Sequence, residues 1–207
     1  MTKPCRTLEL QKLYHALVAQ LDRVTDYESV GCAFKSRRAR YLITEMTDEK
    51  WMRVALEEAQ QALEANEVPI GCAVVQGGRI IGRGHNRTES LHDPTAHAEI
   101  IALSAAGATV NNWRLERATV YITVEPCMMC TGALVLARPD RVVFGAHDPK
   151  FGCLGSKYNV AVENRFNHSF QVSSGVCASE AAGLLQEFFR QKRKKMQWRD
   201  GRVDDGA

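Results

Sequence analysis

Cys127-Met128-Met129-Cys130 places two thiols three residues apart where Pro126 opens a helix, so both sulfurs face the same way. Helix N-termini lower thiol pKa values, which favours the thiolates that zinc requires. Alone, the pair reads equally as a redox couple or as two small buried residues. About thirty residues upstream, His97-Ala98-Glu99 stands at a second helix start. One imidazole and two thiolates make three ligands, and an open fourth position marks a catalytic zinc site rather than a structural one. A fold that unites them must bring two helix N-termini to one point.

The chain of 207 residues is 45% hydrophobic and 25% charged, close to the globular average and unlike a disordered chain. No apolar run approaches the ~20 residues of a membrane span. The N-terminus carries no apolar signal core with a small-residue cleavage site. These features lead us to expect a cytoplasmic protein without a membrane partner. In a reducing compartment, seven cysteines point to metal or redox chemistry before disulfides.

Hydrophobic periodicity sets the expected elements. A helix starts at Thr47, which can cap it, with Asp48 and Glu49 at the positive end of its dipole. Met52, Ala55, Leu56, Ala59 and Leu63 line one face, and Pro69 ends the element. Ile70 to Val75 and Arg79 to Gly84 read as a hairpin across Gly77-Gly78. Thr95 opens a helix to about Ala106. Thr119 to Thr123, Arg141 to Phe144 and Phe170 to Val172 read as strands, and Ala178 to Lys195 as the last helix. Helices alternating with strands after an opening hairpin imply a three-layer α/β/α domain, with a central mixed sheet and helices on both faces.

Glu99 supplies what a hydrolytic zinc site needs besides metal. Zinc lowers the pKa of a bound water, and a carboxylate must carry that water's proton to the substrate and then to the leaving group. Residues two apart on a regular helix point nearly opposite ways, so His97 and Glu99 can cooperate only at the helix mouth.

The His-x-Glu and Pro-Cys-x-x-Cys pair resembles the signature of the zinc-dependent nucleobase deaminases. Asn66-Glu67-Val68-Pro69-Ile70-Gly71, Gly84-His85-Asn86-Arg87, His92-Asp93-Pro94-Thr95-Ala96-His97-Ala98-Glu99-Ile100, Glu125-Pro126-Cys127-Met128-Met129-Cys130, Val143-Phe144-Gly145-Ala146-His147-Asp148-Pro149-Lys150 and Phe188-Phe189-Arg190 narrow the likeness to the bacterial tRNA-specific adenosine deaminase family. It spans roughly Thr47 to Lys195, with Cys72, Thr131 and Cys153 where other small residues are expected. The resemblance implies a cytidine-deaminase-like domain over residues 46–196, with a polar tail at 197–207. It further implies one Zn2+ per subunit on His97, Cys127 and Cys130, no organic cofactor, and a homodimer with the active site near its interface. The implied reaction is hydrolytic deamination of the wobble adenosine in a tRNA anticodon stem-loop, giving inosine and ammonia. Zinc-activated water would attack C6 of adenine while Glu99 protonates N1 and then the departing amine.

Asn86 resembles the residue that hydrogen-bonds the purine, and Ile70 would wall its pocket; a turn asparagine and a core strand residue are the plain alternatives. Asp148 is expected to accept a hydrogen bond from a ribose 2′-hydroxyl, against the reading of a turn aspartate before Pro149. Phe188 to Arg199 holds six basic residues and no acid. That run is either a solvated helix face or a phosphate footprint, in which Phe189 stacks on a loop base and Arg193 meets a phosphate. Two other functions share parts of the pattern: a zinc deaminase of a free base, nucleoside or nucleotide of cytidine, deoxycytidylate or guanine type, and a non-catalytic zinc module that binds RNA. Glu99 argues against the second.

Residues 1–45 match nothing in the family, and residues 1–46 carry a net charge of +3, the whole excess of the chain. Thr25 to Val30 can be encoded as ACT GAC TAC GAA TCA GTA, a five-base stem around the loop CTACGAA. The residues force the loop triplet to A, pyrimidine, G, which includes the arginine anticodon ACG. Val18 to Val24 can encode a D arm, and Cys32 to Arg37 a T arm, in the same frame. The expectation is that residues 1–45 are a translated tRNA gene outside the domain, that translation starts at Met46, and that the substrate is an arginine tRNA with anticodon ACG.

Overall fold

In the computed structural model the backbone is described for residues 37–160 and 166–199, and side chains for 48–160 and 166–194. The chain divides into two units, Met1–Arg40 and Tyr41–Ala207, and the sheet and the site lie in the second. The sheet holds five strands, β1 (Gly71–Gln76), β2 (Arg79–His85), β3 (Ala118–Val124), β4 (Arg141–Ala146) and β5 (Gln171–Ser174), in the order β2-β1-β3-β4-β5. Gly77 and Gly78 both take positive φ (57° and 72°), the conformation a two-residue hairpin turn demands, and fold β2 back on β1. β3 runs antiparallel to β1, while β4 and β5 continue parallel to β3. A parallel neighbour needs a crossover; helix α4 (Met128–Ala137) provides the one between β3 and β4.

Alternation along the strands divides the core in two. Cys72, Val74, Val120, Ile122, Val142 and Phe144 pack with Ala98, Ala102 and Ala106 of α3 (Ala98–Val110) and with Leu134 of α4. Ala73, Val75, Tyr121 and Val143 face the other way, onto Trp51, Met52 and Ala55 of α1 (Arg37–Glu64). Helix α5 (Ala178–Arg199) packs on β4 and β3. The expected mixed sheet with helices on both faces is therefore the observed one.

Element starts differ from the sequence reading for identifiable reasons. α1 does not begin at Thr47: residues 37–46 contain neither Gly nor Pro, so nothing interrupts a helix before it. Thr95 does not open α3, because its backbone N–H and hydroxyl both donate to Asp93 Oδ1 (2.8 and 2.7 Å), holding a turn instead. α5 continues through 197–199, where a tail was expected. A single-turn helix, α2 (Thr88–Leu91), lies in what read as a loop. The expectations for residues 1–36 lie outside the described residues. Midway along α1, Asp48 is buried and takes a bidentate pair from Arg141 (2.8 and 2.7 Å) and the Tyr121 hydroxyl (2.9 Å). This joins α1 to β3 and β4.

Candidate active site

The helix that carries His97 and Glu99 is set on the sheet by glycines. A Cβ on Gly82 would lie 2.3 Å from the Ala102 carbonyl oxygen, and one on Gly84 would lie 2.6 Å from that of Ala98. Gly82 and Gly84 of β2 thus let the backbone of α3 rest directly on the strand, and Ala98, Ala102 and Ala106 make the matching stripe at helical spacing. The height of α3, and so of its first turn, is fixed by main chain on main chain.

His97 is the N-cap of α3, with extended backbone (φ −77°, ψ 154°), and Cys127 is the N-cap of α4 (φ −74°, ψ 176°). The extended cap removes the difficulty with residues two apart, because His97 is not yet helical and Glu99 is already in the first turn. Cys130 follows one turn into α4 and is fully buried. The two helix starts meet: Cys127 Sγ and Cys130 Sγ lie 3.8 and 3.5 Å from His97 Nδ1. All three ligand atoms fall within 4.8 Å of one another. A donor set of two sulfurs and one imidazole nitrogen suits a tetrahedral zinc ion with a fourth position left over.

Electrostatics agree with that use. The Cys130 thiol donates to Cys127, and with His97 beside it the Cys127 thiol is pushed down to about 4, against the opposing effect of burial. Cys130, as the donor and the more buried of the two, is shifted up. His97 is raised, chiefly by its hydrogen bond to Cys127. Burial raises the Glu99 carboxyl, which is only 3% exposed. Its Oε2 is buried without a hydrogen-bond partner. A buried carboxyl oxygen left unpartnered beside a three-donor cluster suits proton transfer better than holding the fold together.

Asn86 is buried, and its Oδ1 accepts the Ala98 backbone N–H at 2.8 Å, capping α3 from outside. That bond fixes the orientation of the amide. Ile70 is half-buried and packs on the α3 side of the core; its carbonyl accepts from Asn86 N–H at 3.2 Å. Asp148 Oδ1 accepts from Lys150 N–H (2.8 Å) and Phe151 N–H (3.2 Å), so one oxygen serves a turn while the other has no partner among the described residues. Phe188 is buried in the core and Phe189 is the exposed one of the two, at 47%. Phe189 and Arg193 stand on α5 and share no hydrogen bond or ion pair with the cluster.

Two buried acids of the motif segments, Glu67 and Glu125, hold neighbouring backbone in place. Glu67 is 1% exposed and accepts Glu89 N–H (3.1 Å) and Ser90 N–H (2.7 Å), tethering α2, two residues beyond Asn86. The Glu125 carboxylate is fully buried, and the backbone N–H groups of Asp148, Leu154 and Ser156 converge on it at 3.1, 2.9 and 3.0 Å. Burial raises the pKa of such a carboxyl, but the donors from Ser156, Asp148 and Leu154 outweigh it and hold Glu125 below the usual carboxylate range. The available signal was an acid directly after a run of aromatic and β-branched residues, Tyr121 to Val124, where an unpaired charge is rarely left.

Known proteins resemble this chain in sequence and fold. The profile of the MafB19-like deaminases matches residues 46–193. A tRNA-specific adenosine deaminase of Bacillus subtilis (strain 168) is 50% identical over 148 residues, covering 72% of this chain and 92% of that protein. The enzyme of the same name from Haemophilus influenzae is 45% identical over 149 residues, covering 72% and 86%. A structure solved in work on A-to-I editing by tRNA:A34 deaminases at the wobble position of transfer RNA superposes with a TM-score of 0.64 at 43% identity, covering 66% of this chain and 99% of that one. Guanine deaminase from Nitrosomonas europaea is more distant, at 27% identity and a TM-score of 0.60, covering 68% and 83%.

Proposed function

The chain belongs to the tRNA-specific adenosine deaminases, within the MafB19-like deaminase family, and from that premise we propose that it deaminates the wobble adenosine of a tRNA anticodon loop with zinc on His97, Cys127 and Cys130. The observation that carries this reading is the buried, unpartnered Oε2 of Glu99 beside the three-donor cluster. A zinc ion held there would supply water acidified to react near neutral pH. Glu99 would carry one of that water's protons to N1 of the purine and the second, from the hydroxyl then on C6, to the leaving amine. Asn86 orients the base by donating from Nδ2, while its Oδ1 stays on Ala98 N–H. Ile70 walls the pocket. Asp148, with one oxygen in its turn and one spare, accepts a ribose 2′-hydroxyl, and Phe189 and Arg193 meet the loop at a base face and a phosphate. Inosine measured by mass spectrometry in a tRNA pool after treatment tests this. One new inosine at the wobble position supports it; ammonia from guanine or cytidine, with no inosine in tRNA, overturns it.

A second copy of the chain covers the outer faces of α3 and α4. Met128, Leu136 and Trp113 are exposed at 52%, 69% and 61%, a density of large apolar groups that soluble surfaces rarely leave open. Met128 directly follows Cys127, so the partner would border the active site. Sedimentation of the Leu136→Glu variant as a monomer, with wild type sedimenting as a dimer, is the expected result. We place the enzyme in the cytoplasm with its tRNA; no helix among the described residues is long and apolar enough to cross a membrane.

The finer substrate assignment, an arginine tRNA with anticodon ACG, rests on residues 1–45 as a translated tRNA gene. One more arm supports it. Ala16, Leu17 and the first base of Val18 can encode GCGCTCG, and Arg38, Ala39 and the first base of Arg40 can encode its complement, CGAGCGC. These seven pairs close an acceptor stem, with two bases before the D arm and none between the T arm and the 3′ strand. Granting four-codon boxes for Leu, Ser and Arg, three of the seven pairs have both bases fixed by the residues, and all three are complementary. In the anticodon stem four more are fixed and complementary, and Tyr27 fixes both the loop T and the wobble A that follows it. Unrelated residues would mismatch in most such pairs. On this reading Met46 starts the enzyme, and the buried Asp48 lies two residues on. The DNA upstream of the Met46 codon tests this separately from activity. A sequence unable to form the cloverleaf, or native peptides mapping before Met46, refutes it.

A further inference from the structure

We infer that Glu125 is a positioning residue for substrate binding: its buried carboxylate holds the segment from His147 to Tyr158 in the shape that meets the anticodon loop. The inference rests on the tRNA reading above. Few carboxylates so buried are so fully engaged. Oε1 accepts Leu154 N–H and Ser156 N–H (2.9 and 3.0 Å). Oε2 accepts Asp148 N–H (3.1 Å) and the Ser156 hydroxyl, and lies 3.3 Å from His147 Nδ1. His147 Nδ1 is also 3.1 Å from Ser156 Oγ, closing a three-residue ring of polar contacts. Gly152 lies against the same carboxylate: a Cβ there would come within 2.4 Å of Glu125 Oε2. One side chain thus gathers both ends of a loop whose middle crosses over it.

The loop so gathered is arranged to show its side chains outward. Asp148 Oδ1 folds Lys150 and Phe151 into a turn, and Lys157 and Tyr158 N–H return to the Gly152 carbonyl at 3.0 and 3.2 Å. Phe151 is 68% exposed and Tyr158 54%, with Lys150 and Lys157 exposed beside them. Aromatic faces interleaved with cations are the surface that binds unpaired bases and their phosphates. The loop also borders the chemistry. Cys153 N–H donates to the Pro126 carbonyl at 3.0 Å, one residue before the ligand Cys127. A carboxylate buried here without reaching the metal ligands is explained if its task is to hold the binding loop in register with the zinc helix.

The test compares zinc-loaded wild-type enzyme with Glu125→Gln on an adenosine-bearing anticodon stem-loop, measuring KM, kcat and zinc per chain. An amide cannot accept all of these donors, so the loop should loosen. KM is expected to rise roughly tenfold or more, with kcat and zinc content close to wild type. Combining it with Lys150→Ala should then raise KM by less than the product of the two single effects, since both act through one loop. A fall in kcat at unchanged KM would place the role of Glu125 at Cys127 and overturn the inference. So would unchanged KM in a protein that is merely less stable. Should Glu125→Gln fail to fold, Ser156→Ala removes one donor from the same carboxylate and is held to the same criteria. An inactive wild-type enzyme on the stem-loop would instead refute the tRNA reading.

Discussion

Replacing Glu99 by Gln keeps the shape of the side chain and removes its capacity to take a proton. The carboxyl is 3% exposed and its Oε2 has no hydrogen-bond partner among the described residues, so an amide in its place breaks no structural bond at that atom. General acid–base transfer is worth about 10²–10⁴ in rate, or about 3–5 kcal/mol of barrier. Glu99→Gln should therefore lose about two to four orders of magnitude in single-turnover inosine formation while retaining one zinc per chain. Glu99→Asp separates presence from reach. It retracts the carboxyl by about 1.5 Å, and α3 cannot follow, because its backbone rests on Gly82 and Gly84. A misplacement of that size costs on the order of 10²-fold, so the aspartate variant should fall between wild type and Gln. The assay is rapid-quench conversion of an anticodon stem-loop under enzyme excess, with zinc measured on the same samples. Near-normal turnover in the fully metallated Gln variant would refute the proton-transfer role. An aspartate variant equal to wild type would refute the claim that the height of the helix fixes the reach.

Cys130→Ala should lose zinc and activity together, since it removes one of three ligands from a closely gathered set; full zinc occupancy would exclude Cys130 as a ligand. Asp48→Ala leaves the Arg141 guanidinium and Tyr121 hydroxyl without their buried acceptor. With side chains 5% and 21% exposed in the Asp48–Arg141 pair, the loss should be about 3–5 kcal/mol and lower Tm by roughly 6–20 °C. Calorimetry giving a loss below about 1 kcal/mol would contradict the burial argument. For Glu67, burial tends to raise the pKa, but the Ser90 and Glu89 amides prevail and the carboxyl sits below its ordinary 4.5. A group depressed in the folded state contributes stability above its unfolded pKa and loses it as pH falls through the folded value. Urea midpoints of wild type should thus drop between about pH 6 and pH 3 more steeply than those of Glu67→Gln. Parallel curves would show that Glu67 is not the linked group.

That His97, Cys127 and Cys130 would gather at one point was legible in the sequence, because few other tasks need those atoms at those spacings. The mixed sheet followed from alternating patterns, and the hairpin from Gly77-Gly78. Helix starts were less legible. Asp93 stops α3 from beginning at Thr95 through two short-range bonds to its own side chain, a choice that hydrophobic periodicity does not encode. Glu67 and Glu125 were legible only as acids in apolar company. Their partners are mostly backbone N–H groups, up to 31 residues away in the chain. Every residue but proline offers an N–H, so such partnerships leave no trace in residue type.

The contact of β2 with α3 shapes which variants of this enzyme can exist. Every amino acid other than glycine brings a Cβ, so positions 82 and 84 have no neutral neighbours in sequence space, whatever the polarity of the newcomer. At Gly132 of α4 the same added carbon would meet nothing within 4 Å, and alanine there should favour the helix by about 1 kcal/mol. A saturation library selected for inosine formation would therefore be blank at two glycines on one strand and populated at a third on a helix of the same layer. Tolerance to substitution is thus set by the bare stretch of backbone on which the His97 helix lies, as well as by the few side chains gathered at its mouth.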